Sequence, residues 1–245
     1  MMQLIKDSPK AWQGKVWKQW LALLFVLPIY IFPVARYLSK EGSFSLRDMF
    51  IYSGVICAIE IAAILFLQRI LIGEKISALN LKSARLRQDF LAGILLGIVT
   101  LVFSFVVRAI LSRWLENETV SSMGGLFDGL LTNPKLTILW LGPLILIGVS
   151  QEELTRAFTL NRLWRIWPKP AGVWFATIIS ALIFALAHIF EGLTGVIWAA
   201  LYGLIMAIYY IYYGRLTPMI ISHYFNNAFN FIAILILIQQ GSIQL

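Results

Sequence analysis

The sequence predicts an all-α, polytopic integral membrane protein, a bundle of seven or eight transmembrane helices, on three observations. Hydrophobic residues make up 60% of the 245 positions and charged residues 13%, with a mean hydropathy of +0.80. A single water-soluble core cannot hide that much apolar surface. The apolar residues also gather in runs of about 20, the length that crosses a bilayer as a helix. No run shows the alternation of a membrane barrel strand, and lipid otherwise permits only helices, which pair their own backbone groups.

The runs read in order as residues 20–39, 50–72, 90–112, 136–158, 171–190, 195–213 and 217–239. The first contains Pro28 and Pro33 and lacks a small-residue cleavage site, so it is expected to be a retained helix and not a removable signal. The second carries the single Cys57, which has no intramolecular disulfide partner and no histidine near it in sequence; neither a metal cluster nor a nucleophile is expected there. Glu60 in the second run and Arg108 in the third are expected to pair with each other or to face the bundle interior. The connection 114–135, with Gly124, Gly125, Gly129 and Pro134, is loop-like and long enough to hold an eighth, short or re-entrant segment. Within it Asn117-Glu118-Thr119 matches a glycosylation sequon, a weak signal that matters only in a eukaryotic secretory membrane. In the fourth run Gly142-Pro143 is a place for a kink. With no internal repeat or soluble second domain, residues 1–245 are expected to form one membrane domain.

Aromatic residues at several run ends, Trp12, Trp17 and Trp20, Trp164 and Trp167, and Tyr209 to Tyr213, fit interfacial belts. Basic residues set the expected orientation. Lys6, Lys10, Lys15 and Lys18 precede the first run. Arg69, Lys75, Lys82, Arg85 and Arg87 surround the second connection, and Arg156, Arg162, Arg165 and Lys169 the fourth. The connection 114–134 carries Glu116, Glu118 and Asp128 and no Lys or Arg before Lys135. The positive-inside rule then places the N-terminus in the cytoplasm and, with seven helices, the C-terminus on the far side. The net charge of +8 is mostly topological and implies contact with anionic lipid headgroups of the bilayer. It makes no case for nucleic acid, since there is no soluble basic domain to bind it. A bacterial-type plasma membrane is the expected location.

Three polar clusters interrupt the apolar runs, and ionisable groups in hydrocarbon are costly unless paired or functional. Gln151-Glu152-Glu153-Leu154-Thr155-Arg156 follows some fifteen uncharged residues, so its acids are reached from within the bilayer. As helix, Glu152 and Arg156 share a face at a spacing of four and Glu153 points about 100° away; the purely structural account is an internal Glu152–Arg156 ion pair with Glu153 at the cytoplasmic headgroups. Phe184 and His188 repeat the four-residue spacing, as do His223 and Asn227. Each cluster alone fits a packing clamp between helices. Together, two histidines, two glutamates, an arginine and an asparagine form the donor and acceptor set that a water-activating hydrolytic site needs.

The order and spacing of these clusters resemble the CPBP family, the CAAX-protease and bacteriocin-processing (Abi-type) intramembrane endopeptidases. Its pattern is Glu-Glu-x-x-x-Arg, then Phe-x-x-x-His, then His-x-x-x-Asn or Asp. The resemblance covers roughly residues 137–235, the expected catalytic core. Phe184 with His188, and His223 with Asn227, fill the second and third motifs. The first departs from the pattern. Anchored on Arg156, the two acids fall on Gln151 and Glu152; anchored on Glu152 and Glu153, the arginine comes one residue early. A glutamine cannot act as a base, and Glu152, on the face of Arg156, is the expected working acid. The resemblance implies that Glu152 or Glu153 and His188 activate water for attack on a peptide carbonyl, while His223 and Asn227 stabilise the oxyanion. It implies a membrane-associated peptide or protein substrate and no cofactor. A zinc ion held by Glu152, His188 and His223 is the rival arrangement, although the compact His-Glu-x-x-His spacing is absent. A non-catalytic relative serving immunity or scaffolding, and a small proton-coupled transporter using Glu60, Arg108, Glu152 and the histidines, are the other function classes. The straight seven-helix layout separates His188 in depth from Glu152 and His223 by roughly 15 to 20 Å, which a shared site must remove.

Overall fold

The computed structural model describes residues 16–39, 46–79, 85–115 and 130–241. Among the described residues there are seven long helices and no strand. We label them α1 (Val16–Ser39), α2 (46–71), α3 (Leu86–Leu111), α4 (Pro134–Ile166), α5 (Pro170–Leu186), α6 (Gly192–Tyr213) and α7 (Thr217–Gln239). Six are long and apolar enough to cross a membrane; α5 is apolar but only 17 residues long. The helical membrane bundle expected from the sequence is thereby found. The place expected for an eighth segment and the sequon fall in 116–129, outside the described residues, as do Trp12, Lys82 and the lysines before α1.

Local chemistry explains the helix ends. Asn133 caps α4, its side-chain oxygen accepting from the backbone N–H of Lys135 at 3.2 Å and Leu136 at 3.4 Å, and Pro134 takes the first position, where no N–H is needed. Gly214, at φ +61°, stops α6 in the left-handed conformation. The Gly142-Pro143 break is a π-helical turn, Trp140–Leu144, within a continuous α4. The fourth apolar run ends in sequence at 158, but α4 continues to Ile166. Its polar last turns find partners inside the bundle: Asn161 donates to the Tyr210 hydroxyl at 3.0 Å, and Arg162 to Gln19 of α1 at 2.9 Å and to Glu74 at 3.0 Å.

The packing is that of a protein whose solvent is lipid. On α3, Leu91, Leu95, Val99, Val102, Val106 and Ile110 form an exposed apolar stripe, while Gly93, Gly97, Thr100, Ser104 and Val107 are buried. The two glycines bring α3 against α7. A Cβ on Gly93 would lie 2.6 Å from the Ile221 Cβ, and one on Gly97 2.9 Å from the Phe225 ring. Asn226 fastens the same seam, donating to the Gly97 carbonyl at 3.1 Å and to the Thr100 hydroxyl at 3.0 Å. Small residues and interhelical hydrogen bonds are what hold helices together when lipid removes the hydrophobic drive. Gly93→Val is therefore expected to destabilise the protein by about 1–3 kcal/mol through overpacking. Thermal unfolding in detergent checks this, and an unchanged midpoint would contradict the seam.

Of the two outcomes expected for Glu60 and Arg108, Glu60 faces the bundle interior, while Arg108 lies 3.9 Å from Glu191. One electrostatic expectation needs correction. Arg156 and Arg162 are buried and paired with glutamates, so they are interior structural charges and not part of the topological set. Arg69, Lys75, Arg85, Arg87 and Lys169 are exposed.

Candidate active site

The first cluster occupies the middle of α4, where the helix passes between α2 on one side and α5, α6 and α7 on the other. Glu153 is fully buried and bridges two partners. One carboxylate oxygen lies 2.8 Å from Nδ1 of His223, and the other accepts from Nη1 of Arg156. Glu152 retains some exposure, and its Oε2 is 3.4 Å from Nε2 of the same histidine. Each ring nitrogen of His223 thus faces a glutamate. The Arg156 guanidinium lies over the Phe184 ring at 4.0 Å, with the Tyr202 ring at 5.7 Å, so the ion pair is roofed by aromatic faces.

This geometry revises the sequence-based account of the two acids. The expected pairing of Glu152 with Arg156 is replaced by an i,i+3 pair of Glu153 with Arg156, and Glu153 points into the bundle, not to the headgroups. Spacings of three and four are both neighbours on a helix. Here the partner on α7 decides, because Glu153 reaches Nδ1 of His223 and the arginine in the same plane of the bundle. The division of labour follows: Arg156 and Glu153 neutralise each other, leaving Glu152 as the partly exposed carboxylate.

His188 follows the last turn of α5 at φ −103° and ψ 18°, in the bridge region between helix and strand. Its Nδ1 is 2.8 Å from the Phe184 carbonyl oxygen, which can only accept, so Nδ1 carries the proton. In the neutral ring Nε2 then presents its lone pair. The His188 and Phe184 ring centroids are 4.4 Å apart, and Phe184 is 5.9 Å from His223. One phenyl ring touches both imidazoles, so the expected depth gap is closed. α5 ends at Leu186, four residues before its apolar run does, and His188 sits in the break.

Asn227 is not brought against the cluster. It is exposed and makes no hydrogen bond among the described residues, whereas its neighbour Asn226 is buried and bonded to α3. Sequence reasoning missed Tyr202, buried with its ring 4.9 Å from His223. A tyrosine inside the apolar α6 has no polar neighbour to single it out. It also left Gln151 open. That side chain turns away from His223 to α2, where its amide donates to Glu60 at 2.8 Å.

The same distances test a zinc set. Nδ1 of His188 is bonded to a carbonyl and Nδ1 of His223 to Glu153, so only the Nε2 atoms of the two rings could reach an ion. Among the described residues no three His, Cys, Asp or Glu side chains are grouped to hold a metal ion. Glu152, His188 and His223 are therefore not gathered as a three-ligand set among the described residues.

Residues 133–229, from the cap of α4 into α7, match the family described as type II CAAX prenyl endopeptidase Rce1-like. No curated protein and no solved structure matches the chain. The matched span is somewhat under half of the chain and contains all three motifs. The resemblance seen in their spacing is borne out as a similarity: from α4 into α7 the chain is similar to the Rce1-like CAAX endopeptidases.

Proposed function

We propose that the protein is a metal-independent intramembrane endopeptidase in which Glu152 is the base. The observation that supports this most is the asymmetry of the two glutamates around His223: Glu153 is neutralised by Arg156, and Glu152 is not. In this reading Glu152 takes a proton from a water held also by Nε2 of His188. The resulting hydroxide attacks the peptide carbonyl carbon, and the C–N bond breaks as the proton passes to the leaving amine. His223, held at Nδ1 by Glu153, stabilises the developing oxyanion as an imidazolium, the form that also donates from Nε2. Asn227 has a role only if substrate binding turns its side chain.

The substrate is a membrane-anchored peptide, with a prenylated C-terminus as the form suggested by the family description. An apolar cavity of about 540 Å³ between α1 and α5 supports an anchored substrate. It is lined by residues that include Trp20, Leu27 and Phe32 on one side and Phe175, Ile179 and Ile183 on the other, and Ile183 adjoins Phe184 of the site. The N-terminus is cytoplasmic in this reading.

Two measurements test the metal and topology parts. Cleavage of a farnesylated reporter peptide by protein in liposomes is expected to survive EDTA and phenanthroline; loss of activity restored by zinc would replace this mechanism. Cys57 is buried, so in a Cys57→Ala background Lys75→Cys and Lys169→Cys are both expected to label from the cytoplasmic side. Labelling of either from the outside would overturn the orientation.

A further inference from the structure

The buried carboxylate of Glu60 takes no part in the chemistry above, yet it lies against the turn of α4 that carries Glu152. Glu60 is 0% exposed in the middle of α2. One of its oxygens accepts from Nε2 of Gln151 at 2.8 Å and the other from the Thr155 hydroxyl at 2.7 Å. Gln151 and Thr155 are one turn apart and also bonded to each other at 3.3 Å. The free end of the Gln151 amide accepts from the Cys57 thiol at 3.4 Å, also on α2. One face of α4, immediately before and after the acidic pair, is thus tied to α2 by side chains whose donors and acceptors match atom for atom.

We propose that Glu60 is a positioning residue that sets the rotation of α4 about its axis and so the direction of Glu152; the assignment rests on the peptidase reading. Residue 152 projects about 100° around the helix from residue 151. Pinning 151 and 155 to α2 therefore fixes how far the Glu152 carboxylate swings toward His223, whose Nε2 it meets at 3.4 Å. The pairing also explains why position 151 is a glutamine. A glutamate there would put two acceptor-only carboxylates against each other at 2.8 Å spacing, whereas the amide supplies the proton that Glu60 accepts. The pair has a reciprocal form: glutamine at 60 and glutamate at 151 rebuild the same bond with donor and acceptor exchanged, and the Thr155 hydroxyl still finds an acceptor.

The experiment is a cycle of Glu60→Gln, Gln151→Glu and the double exchange, with Glu60→Leu as a fourth variant. Each is reconstituted in liposomes and assayed for kcat and KM on the farnesylated reporter, with thermal unfolding followed in parallel. Gln151→Glu and Glu60→Leu are expected to lower kcat at least tenfold with KM changed less than threefold. The double exchange is expected to recover kcat to within about threefold of the unmodified protein. A purely structural clamp would lower the unfolding midpoint and the yield of active protein without the reciprocal recovery of kcat per folded molecule, and that result overturns the proposal. So does a Gln151→Glu variant that is more active than the unmodified protein, because residue 151 would then act in the site itself. If the unmodified protein cleaves nothing while the unfolding midpoints still show coupling between 60 and 151, the peptidase reading fails and the positioning role falls with it.

Discussion

Glu152→Gln is expected to lower the rate of peptide cleavage by about 10²- to 10⁴-fold, the range that a positioned general base contributes, with the unfolding midpoint unchanged. The amide keeps the shape of the side chain and takes away the proton acceptor. Stability should be indifferent because Glu152 is the partly exposed acid, has no arginine partner, and touches His223 only at 3.4 Å. His188→Ala is expected to show the same separation of activity from stability, since its ring is anchored by one backbone carbonyl and by aromatic contact. The measurement is the initial rate on the farnesylated reporter, normalised to folded protein. A Glu152→Gln variant within tenfold of the unmodified rate would remove Glu152 from the mechanism.

The fold was legible in the sequence because lipid imposes so few solutions. Each apolar run corresponds to a helix, and the largest shifts of the C-terminal ends come where polar residues found interior partners, as at Asn161 and Arg162 in α4, or where a run overshot its helix, as at His188. The site was legible as a set of motifs and not as a geometry. Spacing along one helix puts residues 152, 153 and 156 near each other in every combination; only the approach of His223 on α7 chooses Glu153 as the partner of Arg156. Contacts between helices carry no local sequence signal of that kind. Tyr202 was unassigned and the partner of Glu60 missed for this reason, the first hidden in an apolar helix and the second matched to a glutamine 91 positions away.

The position of Gln151 bears on whether the altered first motif implies a lost activity. A glutamine facing His223 in place of an acid would leave the site short of a carboxylate. Gln151 faces Glu60 instead, and two glutamates still meet His223. The count of acids at the histidine is therefore complete without residue 151, which favours the catalytic reading over the degenerate one.

Glu153→Gln is expected to be the substitution most damaging to the fold. Glu153 and Arg156 have side chains 0% and 1% exposed, and removing one charge of a buried pair leaves the other uncompensated, at a cost of about 3–5 kcal/mol. The aromatic roof of Phe184 and Tyr202 offsets a fraction of that for the guanidinium but gives it no acceptor. His223 loses its anionic partner in the same step. Glu153→Gln should therefore lower the unfolding midpoint sharply and reduce the amount of folded protein. Removing the second charge separates this electrostatic account from simple misfit, because a buried pair replaced on both sides by neutral groups of similar size is often tolerated. The double variant Glu153→Gln with Arg156→Met is expected to regain most of the stability and to stay catalytically impaired, since Nδ1 of His223 then meets a neutral amide oxygen in place of a carboxylate. Unfolding in detergent and the reporter rate, measured on both variants, decide the matter. If the double variant is no more stable than Glu153→Gln alone, the buried pair is not what holds α4 in place.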